Sequence, residues 1–383
     1  MKKALIVTTV SGFVPQFEMN NVHILQEMGY EVHYASNYQN ISYGLDNHHL
    51  DGTGIVQHQV DFSRSPFDFK TNFLAYQQLK KIMKKENFSI LHCHTPVAAV
   101  LSRIVAKNYR KQGLKVIYTA HGFHFYKGAP LKYWLLFYPI ERLLAKFTDI
   151  LITINKEDYE RAKRFCWNKK TKVEFIHGVG IDINYWNGQY LKSEERKEIR
   201  KRIRKELGLT QIQTAILSVG ELIPRKNHEL VIRTLAELKK EIDRPFCYFI
   251  CGQGVLQEEL QRLTKELKMF NEVVFLGYRE DVRNLLYGVD LFLFPSKQEG
   301  MPMALMEAIS TGIPIRASNI RGNREWVLES TNHKDWLFND SVELKECLKR
   351  ALDIKQVEKI MLPKRYDICH ITKKMKQIYE ALE

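Results

Sequence analysis

Residues 291–318 read LFLFPSKQEGMPMALMEAISTGIPIRAS. An apolar tetrapeptide, a loop marked by Gly and Pro, an apolar stretch of helical length and a second apolar run follow in order. That succession is the strand–helix–strand unit of a parallel sheet, whose strands are buried on both faces and therefore read as unbroken apolar runs. Two carboxylates lie inside the unit: Glu299 in the loop and Glu307 in the helix, with seven residues between them.

Outward from this stretch the same alternation continues. Further strands are predicted at ALIVTT, EVHYAS, GIVQHQV, SILHCH, KVIYTAH and DILITIN in the first half, and at AILSVG, FCYFICG and VVFLG in the second. Helical segments at 18–28, 70–86, 97–111 and 131–147 separate most of the first set. At 383 residues the chain exceeds one comfortable core, and two doubly wound α/β domains are expected. The boundaries predicted are 1–190, a polar exposed linker helix at 191–209, a second domain at 210–365, and a C-terminal helix from 366 to 383 that crosses back to the first domain. Such domains bind ligands at the carboxyl ends of their strands, so the motifs are expected to face a cleft where both sheets meet.

No apolar run approaches the ~20 residues that span a bilayer. The opening MKKALIVTTV reads as a buried first strand rather than a signal peptide, because its apolar run is short and no small-residue cleavage site follows. Six cysteines without a CxxC pair fit a reducing compartment. His92-Cys93-His94 has the look of a metal ligand pair, but without a second ligand cluster it is set aside, and no metal is expected. The net charge of +14 is uneven: residues 103–172 hold 16 Lys/Arg against 5 Asp/Glu. A basic field there suits nucleic acid, an anionic membrane, a phosphorylated substrate or plain solvent. No recognisable nucleic-acid motif accompanies it, so nucleic acid is not expected as a partner.

The strand ends carry the chemistry. Gly12 follows the first strand and would let a ligand approach the backbone, although TTVSGF lacks the GxGxxG of a dinucleotide site. His121 stands beside a glycine after KVIYTA. In SVGELIPRKNHE, Arg225 and Lys226 precede a helix with Asn227 as its N-cap; two adjacent cations there oppose the helix dipole, and an anion would relieve them. CGQG supplies another glycine-lined strand end at Gly252. Pro302 suits a first helical turn, leaving the N–H groups of Met303, Ala304 and Leu305 for a phosphate. Glu299 then reaches beyond that phosphate and Glu307, about 7 Å further along the axis at ~1.5 Å per residue, behind it. Carboxylates suit vicinal hydroxyls, so a sugar on one end of a diphosphate and a ribose on the other match this spacing.

These stretches resemble the retaining GT-B glycosyltransferases of family four over nearly the whole chain. The resemblance rests on SVGELIPRKNHELVI, CGQG, VVFLGYREDV, LFLFPSKQEGMPMALMEAISTGIPI and, in the first half, TAHGFHFYKGAPLKYWLLFYPIERLLAKFTDILITINKEDYERA, which is most similar to capsule and exopolysaccharide enzymes acting on polyprenyl-diphosphate-linked sugars. It implies that Arg225 and Lys226 bind the donor diphosphate, Glu299 the donor sugar and Glu307 the ribose. Gly12 would lie near the diphosphate, His121 near the reacting sugar, and Tyr278 or Arg279 near the base. Gly220, Gly252, Gly300, Met301, Met303, Ala304 and Leu305 complete the expected donor site. One departure stands out: Glu221 occupies a place where many relatives carry Arg, and Arg225 is expected to supply that charge instead.

The reaction the resemblance implies is metal-independent transfer, with retention, from a nucleotide sugar to a polyprenyl-diphosphate-linked glycan. UDP is the favoured nucleotide, no cofactor is required, and the setting is the inner face of a bacterial cell membrane. Consistent with that setting, 128–147 joins clustered aromatics to Lys132, Arg142 and Lys146, as an interfacial helix would. The alternative on the same architecture is a sugar-nucleotide epimerase or hydrolase; from another class, a basic nucleic-acid binder.

Overall fold

The structure, a computed structural model, describes residues 1–42, 46–166, 170–300, 302–331, 333–353 and 360–383. It divides into two compact units, Met1–Gly180 with Ile368–Glu383, and Ile181–Asp367. The first holds seven strands: β1 (Lys2–Val10), β2 (Tyr30–Asn37), β3 (Val56–Gln59), β4 (Ile90–Cys93), β5 (Lys115–Ala120), β6 (Ile150–Thr153) and β7 (Lys172–Phe175). The second holds six: β8 (Thr214–Val219), β9 (Phe246–Cys251), β10 (Val273–Gly277), β11 (Leu291–Phe294), β12 (Ile315–Ser318) and β13 (Leu337–Phe338).

Every strand pairing in both sheets is parallel. The spatial orders are β3-β2-β1-β4-β5-β6-β7 and β10-β9-β8-β11-β12-β13. Each order reverses direction once, between β1 and β4 and between β8 and β11, and in doubly wound sheets ligands collect outside the carboxyl ends at such a reversal. Of the expected motifs, Gly12 follows β1, Arg225 and Lys226 follow β8 and Glu299 follows β11, at these points, whereas His121 follows β5, Gly252 follows β9 and Tyr278 follows β10.

Alternation within the strands explains the apolar runs. In β9 Cys247, Phe249 and Cys251 enter one core layer, while Phe246, Tyr248 and Ile250 enter the layer on the opposite face. Both faces are covered by helices, so neither can be polar. Helix ends are set by local chemistry: Asp68 accepts from the Thr71 N–H at 3.2 Å and opens Phe69–Lys85, whose last turn carries Lys84 and Lys85.

The expected boundaries need correction. The first unit ends at Gly180 rather than 190, and it reclaims the chain at Ile368. The helix anticipated as an exposed linker, Ser193–Glu206, is part of the second unit: Ile203 is 1% exposed against Gly288, and Arg200 and Arg204 bind Asp290 at 2.5 and 3.0 Å. Its anchors are these arginines and a narrow apolar edge, Ile199, Ile203 and Leu207, which the surrounding charges mask in the sequence. Strands β7 and β13 were not anticipated either; one is a half-exposed edge and the other two residues long.

Helix Ile368–Glu380 packs in the first unit. Tyr379 Oη lies 2.7 Å from His92 Nδ1, whose other nitrogen is 2.8 Å from Thr119 Oγ1. Thr372 donates to Asn20 at 2.8 Å, and Lys2 pairs with Glu383 at 2.9 Å.

Candidate active site

In the second unit, the loops after β8 and β11 are laced together by backbone contacts. Lys297 N–H donates to the Arg225 carbonyl at 2.8 Å, Arg225 Nη1 to the Gln298 carbonyl at 3.0 Å, and Asn227 Nδ2 to the Pro295 carbonyl at 3.3 Å. Beneath them Tyr248 Oη donates to Ser218 Oγ at 2.9 Å and lies 3.2 Å from His228 Nδ1, while Ser218 Oγ donates to the Leu293 carbonyl at 2.5 Å. This buried chain ties β8, β9, β11 and the start of helix His228–Leu238 into one platform. Burial, reinforced by Lys226, lowers His228 to about 4, so it serves as a neutral hydrogen-bonding group.

The platform holds a three-residue charge cluster. Glu299, 7% exposed, meets Arg225 Nη1 at 2.9 Å through Oε2 and Lys226 Nζ at 2.8 Å through Oε1. The Glu299 carboxylate thus bridges the two cations. Lys226 reaches it by passing over Gly220, where a Cβ would come within 3.1 Å of its Cε, and by lying over the Phe294 ring at 4.8 Å. Gly252 is demanded by close approach: its φ is +148° and a Cβ would sit 2.0 Å from the Gly220 carbonyl oxygen. Gly322 abuts the Glu299 carbonyl in the same way, at 2.5 Å. Glu221 is exposed and points its charge nowhere into the described cluster.

Three details depart from expectation. Asn227 occupies the N-cap position with φ +57°, but its side chain makes no cap bond. Pro302 is the N-cap of helix Met303–Thr311 and not its first residue. The Leu305 N–H donates to the Pro302 carbonyl at 3.0 Å and the residue is wholly buried, so Leu305 is a core residue whose amide is already engaged. Met303 and Ala304 remain as half-buried residues at the helix start, beside half-buried Gly300. Met301 lies outside the described residues. Glu307 is half-buried about one turn in, and desolvation raises its carboxyl to about 7.

Tyr278 is 45% exposed after β10. Arg279 beside it is held by Asp281 at 2.7 Å and Glu206 at 2.7 Å, which raise its already high pKa further. Its guanidinium is therefore committed to carboxylates of its own unit, and Tyr278 is the more open of the two.

In the first unit, Gly12 ends β1 with its N–H on the Ile41 carbonyl at 2.9 Å, and a Cβ would fall 2.6 Å from the carbonyl oxygens of Ile41 and Ser42. The close approach that selects glycine is made by the chain's own backbone, where a ligand was expected. His121 follows β5 and stands edge-on to Phe13 at 5.0 Å. Its Nε2 lies 3.0 Å from His94 Nδ1, and both rings converge on Glu18, a residue the motif reading missed. Burial lowers His121 to about 4 and His94 well below its ordinary value, and it raises Glu18 to about 8 against the pull of the Asn21 hydrogen bond. No spacing links Glu18 to residues 94 and 121; only the fold brings them together.

Helix Leu131–Leu144 is pinned to helix Pro96–Tyr109 by a buried bidentate pair, Arg103 with Glu141 at 2.8 and 3.1 Å. The expectation of interfacial aromatics needs correction. Trp134 and Tyr138 turn inward against Phe125, and Phe137 stacks on His124 at 4.5 Å. The exposed apolar residues are Leu131, Leu135 and Leu143, with Lys132 and Arg142 exposed nearby. Among the described residues, no helix is long and apolar enough to cross a membrane.

Comparison with known proteins matches residues 4–155 to the family model described as "Glycosyl transferase 4-like" and residues 199–359 to that described as "Glycosyl transferases group 1". The glycosyltransferase named EpsD of Bacillus subtilis (strain 168) is 35% identical over 331 residues, covering 86% of this chain and 82% of that protein. A UDP-Gal:alpha-D-GlcNAc-diphosphoundecaprenol alpha-1,3-galactosyltransferase of Escherichia coli is 31% identical, over 64% of this chain and 61% of its own. Among solved structures, Anabaena Alr3699/HepE in complex with UDP and glucose superposes with a TM-score of 0.73 over 100% of both chains at 18% identity, a likeness of fold. WaaG, involved in lipopolysaccharide biosynthesis, gives 0.68 over 98% of this chain and 95% of that one, also at 18% identity. With its two parallel doubly wound sheets and these relatives, the chain belongs to the glycosyltransferases of family four and has their GT-B fold.

Proposed function

We propose that this glycosyltransferase moves a hexose or N-acetylhexosamine from a UDP-sugar to a polyprenyl-diphosphate-linked glycan, with retention of anomeric configuration. The observation that carries the reading is the Arg225–Lys226–Glu299 cluster at the β8/β11 reversal, with Glu307 on the helix that follows. Two cations held by a carboxylate form a site in which a diphosphate can replace that carboxylate as their partner. Glu299 is then released toward the hydroxyls of the donor sugar, and Glu307 takes the ribose. The amides of Met303 and Ala304 add donors at a helix N-terminus.

In the reaction proposed, the bond from the anomeric carbon to the diphosphate oxygen breaks and the acceptor oxygen bonds the same face. The acceptor's proton passes to the departing phosphate. Arg225 and Lys226 stabilise the charge that grows on the leaving group, the work a divalent cation does in other transferases, so this step needs no metal. Tyr278 is assigned to the base; His121 and Gly12 are assigned to the transferred sugar and the diphosphate on the family resemblance. The UDP named for Alr3699/HepE and the diphosphoundecaprenol named for the Escherichia coli relative support the choice of substrates. The exposed leucines and cations of Leu131–Leu144 support work at the inner membrane surface, from the cytoplasmic side.

The test is a panel of UDP-sugars with a polyprenyl-diphosphate-linked acceptor, with product anomers read by NMR. Transfer with retention is expected, and Lys226→Ala should lower turnover by about 10²–10³-fold, as removal of one preorganised charge donor does elsewhere. Full activity in Lys226→Ala and Glu299→Gln would reject the site. Donor consumption independent of acceptor would reject the transfer in favour of hydrolysis or epimerisation.

A further inference from the structure

The first unit holds a constellation of which the donor reading uses only His121. We propose that Glu18, His94 and His121 bind a divalent transition-metal ion of the zinc type through Oε1, Nδ1 and Nε2. The three atoms form a triangle with edges of 3.0 Å (His94–His121), 3.4 Å (His94–Glu18) and 3.6 Å (His121–Glu18). Bonds of about 2.0–2.1 Å to a tetrahedral zinc place its ligand atoms about 3.3–3.4 Å apart. The mean of the observed edges falls on that spacing.

Hydrogen bonding alone accounts for the triangle poorly. The 3.0 Å edge is a hydrogen bond, but 3.4 and 3.6 Å exceed the distance of about 2.7–3.2 Å at which a nitrogen and an oxygen share a proton. A carboxylate held just outside bonding range of two nitrogens has the placement that a shared ion requires. His94 is wholly buried and its Nε2 has no partner, so its bonding is confined to the Nδ1 side that faces the other two.

The surroundings fix all three ligands. Glu18 closes the short helical segment Val14–Glu18 and is 1% exposed; its other oxygen accepts from Asn21 Nδ2, the outer hydrogen bond that orients ligating carboxylates. His94 extends the β4 ladder by donating its N–H to the Val7 carbonyl at 2.9 Å. The Phe13 ring packs on both imidazoles, at 5.7 and 5.0 Å. Two imidazoles and one carboxylate select a borderline ion such as zinc over magnesium or calcium, which prefer all-oxygen sites. Three protein ligands leave a fourth position for water or a substrate oxygen. His121, with 21% of its side chain exposed, is the ligand nearest solvent. The cysteine-free donor set also explains why the His92-Cys93-His94 motif misleads: His92 is spent on Tyr379 and Thr119, and the other ligands come from two distant loops.

The inference concerns the first unit only and shares His121 with the donor reading; metal uptake is measured without nucleotide sugar, so either can fail while the other stands. The full chain, freed of metal by chelator dialysis, would be titrated with ZnCl₂ by calorimetry and with CoCl₂ by visible absorption, MgCl₂ serving as control. Uptake of one zinc or cobalt per chain, with the intense d–d bands of four-coordinate cobalt, is expected, and none with magnesium. Glu18→Gln and His94→Gln should abolish the cobalt bands. Asn21→Ala, which leaves every ligand in place and perturbs folding less, should weaken zinc binding about 10–100-fold. Folded wild-type protein that takes up neither ion at stoichiometry would overturn the proposal. So would cobalt bands that persist unchanged in folded Glu18→Gln and Asn21→Ala, which would place the ion elsewhere.

Discussion

Glu307→Gln should make the second unit more stable, and by an amount set by pH. Burial raises the native carboxyl from 4.5 to about 7. Between those values the unfolded chain has released the proton while the native chain still holds it. The unfolded state then binds fewer protons, so wild-type stability falls as pH rises through this window. A shift of this size corresponds to about 3 kcal/mol at 1.36 kcal/mol per pH unit. Glutamine has no proton to lose, so the variant escapes the fall: it should match wild type near pH 4.5, gain steadily, and level off above pH 7. For a domain of this size 1 kcal/mol moves Tm by roughly 2–4 °C, so the full gap is about 10 °C. Calorimetric unfolding of both proteins at pH 5, 6, 7 and 8 measures it. A Tm difference that stays constant across those pH values would refute a buried, proton-holding Glu307. The same carboxylate should link pH to binding. UDP-glucose, which lacks the terminal phosphate that titrates near pH 6 in UDP, should bind up to about tenfold more tightly per pH unit as Glu307 ionises below pH 7. In Glu307→Gln that dependence should vanish.

Gly252→Ala forces a Cβ to 2.0 Å from the Gly220 carbonyl at a φ of +148°; a loss of more than about 3 kcal/mol is expected by denaturant unfolding, since backbone strain and backbone clash act together. Glu141→Ala strands the buried Arg103 guanidinium and should cost about 3–5 kcal/mol, whereas joint replacement by Met and Leu should recover most of it, as read by thermal unfolding of each variant. Replacing Leu131, Leu135 and Leu143 with Gln should leave soluble-acceptor activity intact but lower co-sedimentation with anionic phospholipid vesicles at least tenfold; unchanged co-sedimentation would count against that face as the docking surface.

The parts of the molecule that sequence disclosed share one property: their signal is local. Parallel strands such as Phe246–Cys251 are apolar on both faces and stand out as runs. Glu299 and Glu307 stand a fixed distance apart because loop and helix are contiguous. What stayed hidden depended on contacts between distant segments. Gly12 was correctly singled out as a close-approach glycine, but the group that approaches is the backbone of Ile41 and Ser42. Arg225 and Lys226 pair with Glu299, more than seventy residues away, a contact that no local spacing discloses. Arg200 and Arg204 bind Ser193–Glu206 to Asp290, and this polar anchorage adds to an apolar edge of Ile199, Ile203 and Leu207 too narrow to stand out among the charges. Glu18 carried no motif at all.

The return of Ile368–Glu380 to the first unit has a consequence for biogenesis. The chain leaves that unit at Gly180 and re-enters at Ile368, where Ile181 pairs with Asp367 and Gly180 abuts Ile368. On a ribosome, the unit begun first therefore cannot close until the one begun second has been made. Until Tyr379 emerges, the nascent chain must carry an open face on which His92 has Thr119 alone as its partner, and such uncovered surface is what makes partly folded chains prone to aggregate.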